Sequence, residues 1–182
     1  KGVSVSYFSP AGVFQGMLCT LPASGIDARR GQYKLFDDKS VCLALAKAVI
    51  RAKIHNQRVM LMRNSQAVES DLDLMSALKG KLDHCGNMEE ILGCEGEAAA
   101  IYFRNFSSMI KNSDISPFAF ERRNRRPPRD PVNAMLSLGY SVLCKELAGV
   151  CFSVGLDPFL GFMHRPRYGR PALALDLMEE FR

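Results

Sequence analysis

Apolar residues recur every three or four positions from Asp38 onward, which is the spacing of an amphipathic helix. Val41, Leu45 and Val49 lie on one face of this helix, and the carboxylate of Asp37 or Asp38 can cap its first turn. The pattern continues into the region 58–62, so the sequence predicts a long helix. A segment of this kind excludes an all-β fold for the chain.

Apolar residues at helical spacing continue to the end of the chain. The other predicted helices lie at about 67–82, at about 88–111, from Asp130-Pro131 to about residue 154, and from Pro171 onward. Asp130 and Pro131 are typical of an N-cap and a first helical residue. Between the second and third of these helices, a Pro- and Arg-rich loop is predicted at about 112–130.

The beginning of the chain has a different pattern. Residues 2–7 and 13–20 are rich in β-branched and aromatic residues and flank a turn-forming Ser-Pro-Ala-Gly sequence. They predict a β-hairpin, which a polar stretch follows to about Gln32. We therefore predict a mainly α fold, with a β-hairpin and linker at 1–34 and an all-helical domain at 35–182.

The positive charge is concentrated in two short stretches. The sequence has 24 Lys and Arg against 19 Asp and Glu, which gives a net charge of +5. Residues 121–129 carry +4 and residues 163–170 carry +3, so all other residues together carry −2. Patches of this kind are typical of a surface that binds an anion.

The spacing of the cysteines and the hydropathy of the sequence indicate the cellular compartment of the protein. The six cysteines show no zinc-binding spacing, and no apolar run reaches the ~18 residues of a membrane span. Reduced thiols are typical of cytosolic proteins. We therefore expect a cytoplasmic protein that does not enter a membrane.

Glu95 is the first candidate for chemistry. Ala98, Ala99 and Tyr102 follow it at helical spacing, which puts its carboxylate on an apolar face near the start of a helix, where the helix dipole favours an anion. An acid that faces a core needs a cation or a metal as its partner. The alternative is an ordinary first-turn glutamate that faces solvent.

His164 and two acids of the last helix are further candidates. His164 lies where an apolar segment turns abruptly basic, and a loop histidine of this kind is either a ligand or a surface residue. Asp176 and Glu179 are three residues apart and share a helix face, which a nearby cation would stabilise. Carboxylates with one imidazole suit Mg²⁺ or Mn²⁺ acting on phosphates, and arginines beside them would bind phosphate oxygens.

Several long segments of the chain match a known family. They are SPAGVFQG, Arg-Gly-Gln-Tyr at 30–33, AKIHNQRVMLMR at 52–63, ILGCEGEAAAIYF at 91–103, RRNRRPPRDPVNAMLSLGY at 122–140, and GLDPFLGFMHRPRYGRPALALDLMEEFR at 155–182. With these segments the chain resembles the CRISPR-associated spacer-acquisition integrase, the universal first CRISPR-associated protein. The resemblance covers nearly the whole sequence.

The resemblance implies roles for particular residues. The catalytic glutamate of the family's G-x-E-G element is Glu95 here, its histidine is His164, and its last acid is Glu179; these three would bind Mg²⁺ or Mn²⁺. Asp176 would either support the site or contact the metal itself, and Asn133 would help to hold the site. The DNA-binding residues would be the arginines of the two basic stretches, namely Arg122, Arg123, Arg125, Arg126, Arg129, Arg165, Arg167 and Arg170.

The resemblance also implies an activity and partners. The expected protein is a metal-dependent DNA integrase and endonuclease of CRISPR adaptation, which inserts captured spacer DNA at the repeat by attack of a 3′-hydroxyl on a phosphodiester. Its partners would be double-stranded DNA, a second copy in a homodimer, and the small ferredoxin-like second CRISPR-associated protein. Its fold would be an N-terminal β domain joined to an all-helical catalytic domain.

Two other interpretations of the chain differ from that of a complete integrase. Residues 1–34 would be only a remnant of the N-terminal β domain, so we expect a fragment of a longer protein, and an inactive fragment fits this expectation. The arginine patches alone also suit a non-catalytic DNA-binding scaffold. That alternative has no need of Glu95 on an apolar face or of acids beside arginines. An RNA-binding domain would need interleaved aromatic and basic residues, which are missing here.

Overall fold

A short antiparallel hairpin precedes a set of helices in the computed structural model. The structure describes residues 5–9, 14–18, 25–67, 69–111, 118–125 and 127–182. In the hairpin, β1 (Val5–Phe8) pairs with β2 (Phe14–Leu18). The predicted hairpin is therefore confirmed, while most of its predicted turn lies outside the described residues.

Helices make up most of the rest of the described chain, so the predicted mainly α fold is confirmed. The helices are α1 (Ile26–Asp37), α2 (Lys39–Asn64), α3 (Glu69–Lys81), α4 (Met88–Asn105), α5 (Pro131–Ser153) and α6 (Ala172–Met178). Single 3₁₀ turns follow α3, α4 and α6, at Leu82–His84, Phe106–Met109 and Glu179–Phe181. Helix α4 thus ends earlier than the predicted residue 111.

Three of the helix starts follow the predicted capping chemistry or a close variant of it. The side chain of Asp38 accepts hydrogen bonds from the backbone N–H groups of Ser40 and Val41 at the start of α2. The side chain of Asp130 accepts the N–H of Asn133 at the start of α5. Asn87 caps α4 in the same way, and such caps satisfy backbone donors that a helix leaves unpaired.

The core lies where α2, α3 and α4 pack together. Helix α2 contributes Ile50, Ile54 and Leu61, and each of these side chains is buried against residues of α3 and α4 such as Met75 and Ile91. Burial of large aliphatic side chains is the main stabilising contribution in a helical domain. Since α2 also contacts α6 and the last turn, it is the element on which the site is assembled.

Helix α1 is not predicted by the sequence, which indicates a polar linker there. It begins at Ile26, after Gly25 and without a side-chain cap, and its one buried residue is Gln32. The amide of Gln32 donates to the carbonyls of Asp157 and Leu160, both at 2.8 Å, and accepts the N–H of Asp157 at 2.8 Å. Because α1 runs across residue 34, no element boundary coincides with the predicted division at 34/35, which stays a prediction.

A close backbone contact joins the start of α1 to the end of α5. Gly25 and Gly155 both have positive φ angles, of 132° and 83°. A Cβ on Gly155 would lie 2.6 Å from the Cα of Gly25, so any side chain would separate the two segments.

Helix α5 is long and apolar. Its 23 residues are enough by length and composition to cross a membrane, although only 11% of its most apolar segment is buried among the described residues. Met135, Leu138 and Val150 are exposed along it. One helix of this kind is weak evidence for a membrane segment, and the expected absence of a membrane stays a prediction.

Candidate functional site

Two glutamates from distant parts of the chain meet at one buried lysine. The Nζ atom of Lys53, on α2, donates to Oε1 of Glu95 on α4 and, at 2.5 Å, to Oε2 of Glu179 in the last turn. The side chains of Lys53 and Glu179 are each 4% exposed, and that of Glu95 is 25% exposed. The two carboxylates are thus held around a single cation.

This geometry corrects the account of Glu95 that the sequence suggests. Helix α4 begins at Met88, so Glu95 lies well inside the helix and away from the dipole at its first turn. The expectation of a cationic partner is met instead by Lys53 from another helix. Lys53 itself faces the core next to Ile54, which explains why its charge needs the two acids.

Arg182 is the second cation on Glu179. Its Nη1 donates to Oε1 of Glu179 at 2.6 Å, and its guanidinium lies 5.0 Å from the ring centroid of Tyr140 on α5. Burial alone would raise the pKa of Glu179, but the charges and hydrogen bonds of Lys53 and Arg182 outweigh it and hold that pKa below its ordinary value. Glu179 is therefore an ionised carboxylate in a buried place.

His164 is oriented by Asp176. Oδ1 of Asp176 lies 2.7 Å from Nδ1 of His164, and the same carboxylate accepts the backbone N–H groups of Phe162, Met163 and His164. A carboxylate beside Nδ1 favours a ring proton on that nitrogen and fixes the direction in which Nε2 points. Nε2 lies 3.9 Å from Oε1 of Glu179, so the imidazole faces the glutamate pair.

Gly161 allows the loop before His164 to approach α6. A Cβ at this position would lie 2.6 Å from the carbonyl carbon of Ala172 and 2.8 Å from Oδ2 of Asp176. A side chain here would push the loop away from the carboxylate that holds His164. The glycine of the Gly-Phe-x-His segment is thus a packing requirement of the site.

The arginines of 121–129 divide into different environments. Arg125 is close enough to the site for Glu179 and Glu95 to affect it: desolvation and the positive charge of Arg182 lower its pKa, while both glutamates act in the opposite direction. Arg122 and Arg129 are exposed. Arg126 lies outside the described residues.

Arg123 and Asn133 belong to an internal network rather than to the surface. Nη1 of Arg123 donates to Oδ1 of Asn133 at 2.7 Å, and Nη2 donates to Oγ of Ser137 at 3.1 Å. Asn133 is fully buried and also donates to the carbonyl of Arg122 and to the Asp130 carboxylate. Asn133 therefore holds the arginine loop at the start of α5 and makes none of its hydrogen bonds with the Glu95–Glu179 pair.

The second basic stretch forms a small turn beside His164. Arg167 and Arg170 pair through an antiparallel bridge, with the N–H of Arg170 donating to the carbonyl of Arg167 at 3.0 Å. Arg165 and Arg167 are exposed, and Tyr168 at the tip of the turn is fully exposed. This turn presents positive charge to solvent within a few residues of His164.

The structure brings together four residues that the sequence predicts for the site, and it adds two that the sequence analysis missed, Lys53 and Arg182. Lys53 lies three residues after Ile50 and therefore on the buried face of α2, which is the same signal that singled out Glu95. Among the described residues, no three His, Cys, Asp or Glu side chains form a group that could hold a metal ion, and the point where the glutamates meet is taken by the Lys53 ammonium.

Comparison with known proteins identifies the family. The family model described as CRISPR associated protein Cas1 matches residues 1–182. The chain belongs to the Cas1 family. It is 42% identical over 182 residues to the CRISPR-associated endonuclease Cas1 3 of Thermus thermophilus, a match that covers the whole chain but 53% of that relative. The chain thus spans about half the length of this Cas1 relative.

Solved structures give the same result. A casposase bound to its integration product superposes with a TM-score of 0.80 and 28% identity, over 98% of this chain and 50% of the casposase. A chain of a partial Cas6-RT-Cas1–Cas2 complex gives a TM-score of 0.78 and 26% identity, over 99% of this chain and 55% of that one. The mainly helical Cas1 fold is therefore shared across these proteins.

Proposed function

We propose that this Cas1 chain carries the catalytic site of a DNA integrase and endonuclease that inserts captured spacer DNA at a CRISPR repeat. The observation that carries the proposal is the convergence of Glu95 and Glu179 on one point, with His164 facing them. Family membership supports the same activity, since the Thermus relative is named an endonuclease and the casposase is bound to an integration product.

The donor chemistry of the site fits Mg²⁺ or Mn²⁺. Two carboxylate oxygens from different elements already contact a single cation, and an imidazole nitrogen lies 3.9 Å from Glu179. Oxygen ligands with one nitrogen suit these ions, of which Mn²⁺ tolerates imidazole better. Glu95, His164 and Glu179 would hold the ion, in the place that the Lys53 ammonium occupies.

The proposed reaction is a transesterification. The 3′-hydroxyl of the captured DNA attacks a phosphodiester of the repeat and loses its proton as the new P–O bond forms. The P–O bond to the 3′-oxygen of the repeat strand breaks, and that oxygen takes up a proton. The chemistry that a bound divalent ion supplies is stabilisation of negative charge on the phosphoryl group and on the leaving oxygen. Because one phosphodiester replaces another, no external energy source is needed.

The residues of this chain position the reacting groups. Asp176 holds Nδ1 of His164 and so directs Nε2 to the site, and Arg182 keeps Glu179 ionised in its buried position. Arg125 is within electrostatic range of both glutamates and would bind the phosphate oxygens of the attacked strand. Arg122, Arg129 and the arginine turn after His164 would bind the DNA backbone without reading its sequence.

Partners and compartment follow from the same family. We propose double-stranded DNA as substrate and a Cas2 protein as partner, which the Cas6-RT-Cas1–Cas2 neighbour supports. We also propose that the protein works as a homodimer in the cytoplasm of a prokaryotic cell. The net +7 of the two basic stretches suits this DNA substrate.

Glu95→Gln tests the proposed function, with Glu97→Gln as the matched control on the same helix. Glu95 contacts Lys53 at the site, whereas Glu97 is exposed. With a Cas2 partner and Mn²⁺, strand transfer of a labelled DNA should fall at least about 100-fold in Glu95→Gln and stay unchanged in Glu97→Gln. DNA binding should persist in both variants. Strand transfer at the wild-type rate in Glu95→Gln would contradict the catalytic role of this site and favour a non-catalytic DNA-binding scaffold.

A further inference from the structure

The lysine between the two glutamates has no role in the proposed reaction. Lys53 is buried on α2, and its ammonium is shared by Glu95 of α4 and Glu179 of the last turn. A buried ammonium is costly unless its charge is paired, and so are two carboxylates that point at one another. The three side chains therefore compensate one another across three elements of the fold.

The charges of this group balance without any bound ion. Lys53 and Arg182 bring two positive charges, and Glu95 and Glu179 bring two negative ones. A divalent cation added to all four would leave two positive charges in excess in a place with little access to water. The same oxygens cannot keep both partners at short range, since Lys53 and the ion would have to occupy one position.

We infer that Lys53 is a positioning residue that acts as the resident counter-ion of Glu95 and Glu179, holding them together in the metal-free protein and giving up its place when the divalent ion binds. This inference rests on the proposed function, because it assigns the ion to the same two glutamates. Lys53 thereby competes with the metal, and the affinity of the site is lower than the two carboxylates alone would give.

The last turn does not depend on Lys53 alone for its position. Nδ2 of Asn56 donates to the carbonyl of Glu180 at 2.8 Å, and Nε2 of Gln57 donates to the carbonyl of Arg182 at 3.0 Å. These two hydrogen bonds join α2 to the last turn next to the ion pairs. A variant that lacks only the Lys53 charge can therefore keep the glutamates in their place.

The test compares Lys53→Met with Lys47→Met in the 182-residue chain. Methionine keeps the length of the side chain and removes its charge, and Lys47 lies on the same helix but donates to the Asp83 carbonyl, away from the site. Mn²⁺ binding is measured by titration at constant pH with electron paramagnetic resonance, and melting temperature is measured with EDTA and with Mn²⁺. Lys53→Met should bind Mn²⁺ at least about tenfold more tightly than the wild type.

The melting temperatures give an independent readout. In EDTA, Lys53→Met should melt below the wild type because its glutamates repel each other, and Mn²⁺ should raise its melting temperature by more than that of the wild type. Lys47→Met should match the wild type in both measurements. If Lys53→Met does not fold, the double variant Lys53→Met with Glu95→Gln is measured in its place. Removal of one carboxylate should restore folding, because the repulsion between the two glutamates is then lost.

Three outcomes contradict the inference. Equal or weaker Mn²⁺ binding in Lys53→Met would show that the lysine does not compete with the ion. A double variant with Glu95→Gln that is no more stable than Lys53→Met would show that the lysine acts through packing rather than charge. If neither the wild type nor any variant binds Mn²⁺, the proposed function is overturned. The inference that the ion displaces Lys53 is then overturned as well.

Discussion

At the scale of single residues, Asp176 is the side chain on which the geometry of the site depends most directly. Its Oδ2 accepts the N–H groups of Phe162 and Met163, at 2.6 and 3.0 Å, and its Oδ1 accepts the N–H and faces Nδ1 of His164, at 2.9 and 2.7 Å. One carboxylate thus fixes both the loop and the ring of the histidine. A support of this kind sets the direction of the free ring nitrogen.

Asp176→Asn should reduce strand transfer about 10- to 100-fold, because an amide cannot accept all four hydrogen bonds and the His164 ring loses its orientation. The buried donors left without a partner should lower the free energy of unfolding by about 2 kcal/mol. Strand-transfer rates and urea denaturation measure the two effects, and Asp73→Asn on the exposed face of α3 is the control. Unchanged transfer by a stable Asp176→Asn protein would remove Asp176 from the site.

The same residues show what sequence reasoning can find. Glu95, His164, Asp176 and Glu179 stand out because acids and a histidine occur in apolar or basic surroundings where they need a partner. Lys53 was missed because it is 42 residues from Glu95 and 126 from Glu179, so only the packing of α2 brings them together. The role of Asp176 as the partner of His164 likewise depends on the close approach that Gly161 permits.

At the scale of elements, helices with an apolar face and a capping residue are predictable, and α1 is not. Helices α2 and α5 begin directly after their capping residues Asp38 and Asp130. Helix α1 has neither signal, because its docking relies on the polar side chain of Gln32 and on backbone groups of the segment 157–160. A helix that packs through hydrogen bonds to a distant loop has no apolar period to reveal it.

Gln32→Ala should loosen α1 from the rest of the domain. It removes three hydrogen bonds of 2.8 Å, which leaves the N–H of Asp157 and the carbonyl of Leu160 without their partner and should lower the free energy of unfolding by about 2 kcal/mol. Urea denaturation measures this loss, and hydrogen exchange should show faster exchange along α1. Lys34→Ala, at an exposed position of the same helix, should change neither quantity. Equal protection of α1 in both variants would mean that Gln32 does not hold it.

At the scale of the whole molecule, the fold places the arginines of the chain in different environments, so they cannot all bind DNA. Arg182 binds Glu179, Arg123 is bound inside the loop, and Arg122 and Arg125 are exposed, the latter within electrostatic range of both glutamates. The number of arginines available to a DNA backbone is therefore smaller than the composition indicates. Sequence alone could not make this division, because Arg122 and Arg123 are adjacent and chemically identical.

Arg122→Gln should consequently affect mainly DNA binding, and Arg123→Gln should affect mainly stability. Arg122 is exposed, so its loss should leave the melting temperature unchanged and reduce the slope of log K for DNA against log salt concentration by about 0.9. Arg123 donates to Asn133, Asn124 and Ser137, so its loss should lower the melting temperature and leave the salt slope closer to that of the wild type. Fluorescence anisotropy at several salt concentrations and thermal unfolding measure both properties. Because the two variants remove the same charge from neighbouring positions, any difference between them reports the environment of each side chain. Equal salt slopes and equal melting temperatures would contradict this division of the loop into a DNA-binding arginine and a structural one.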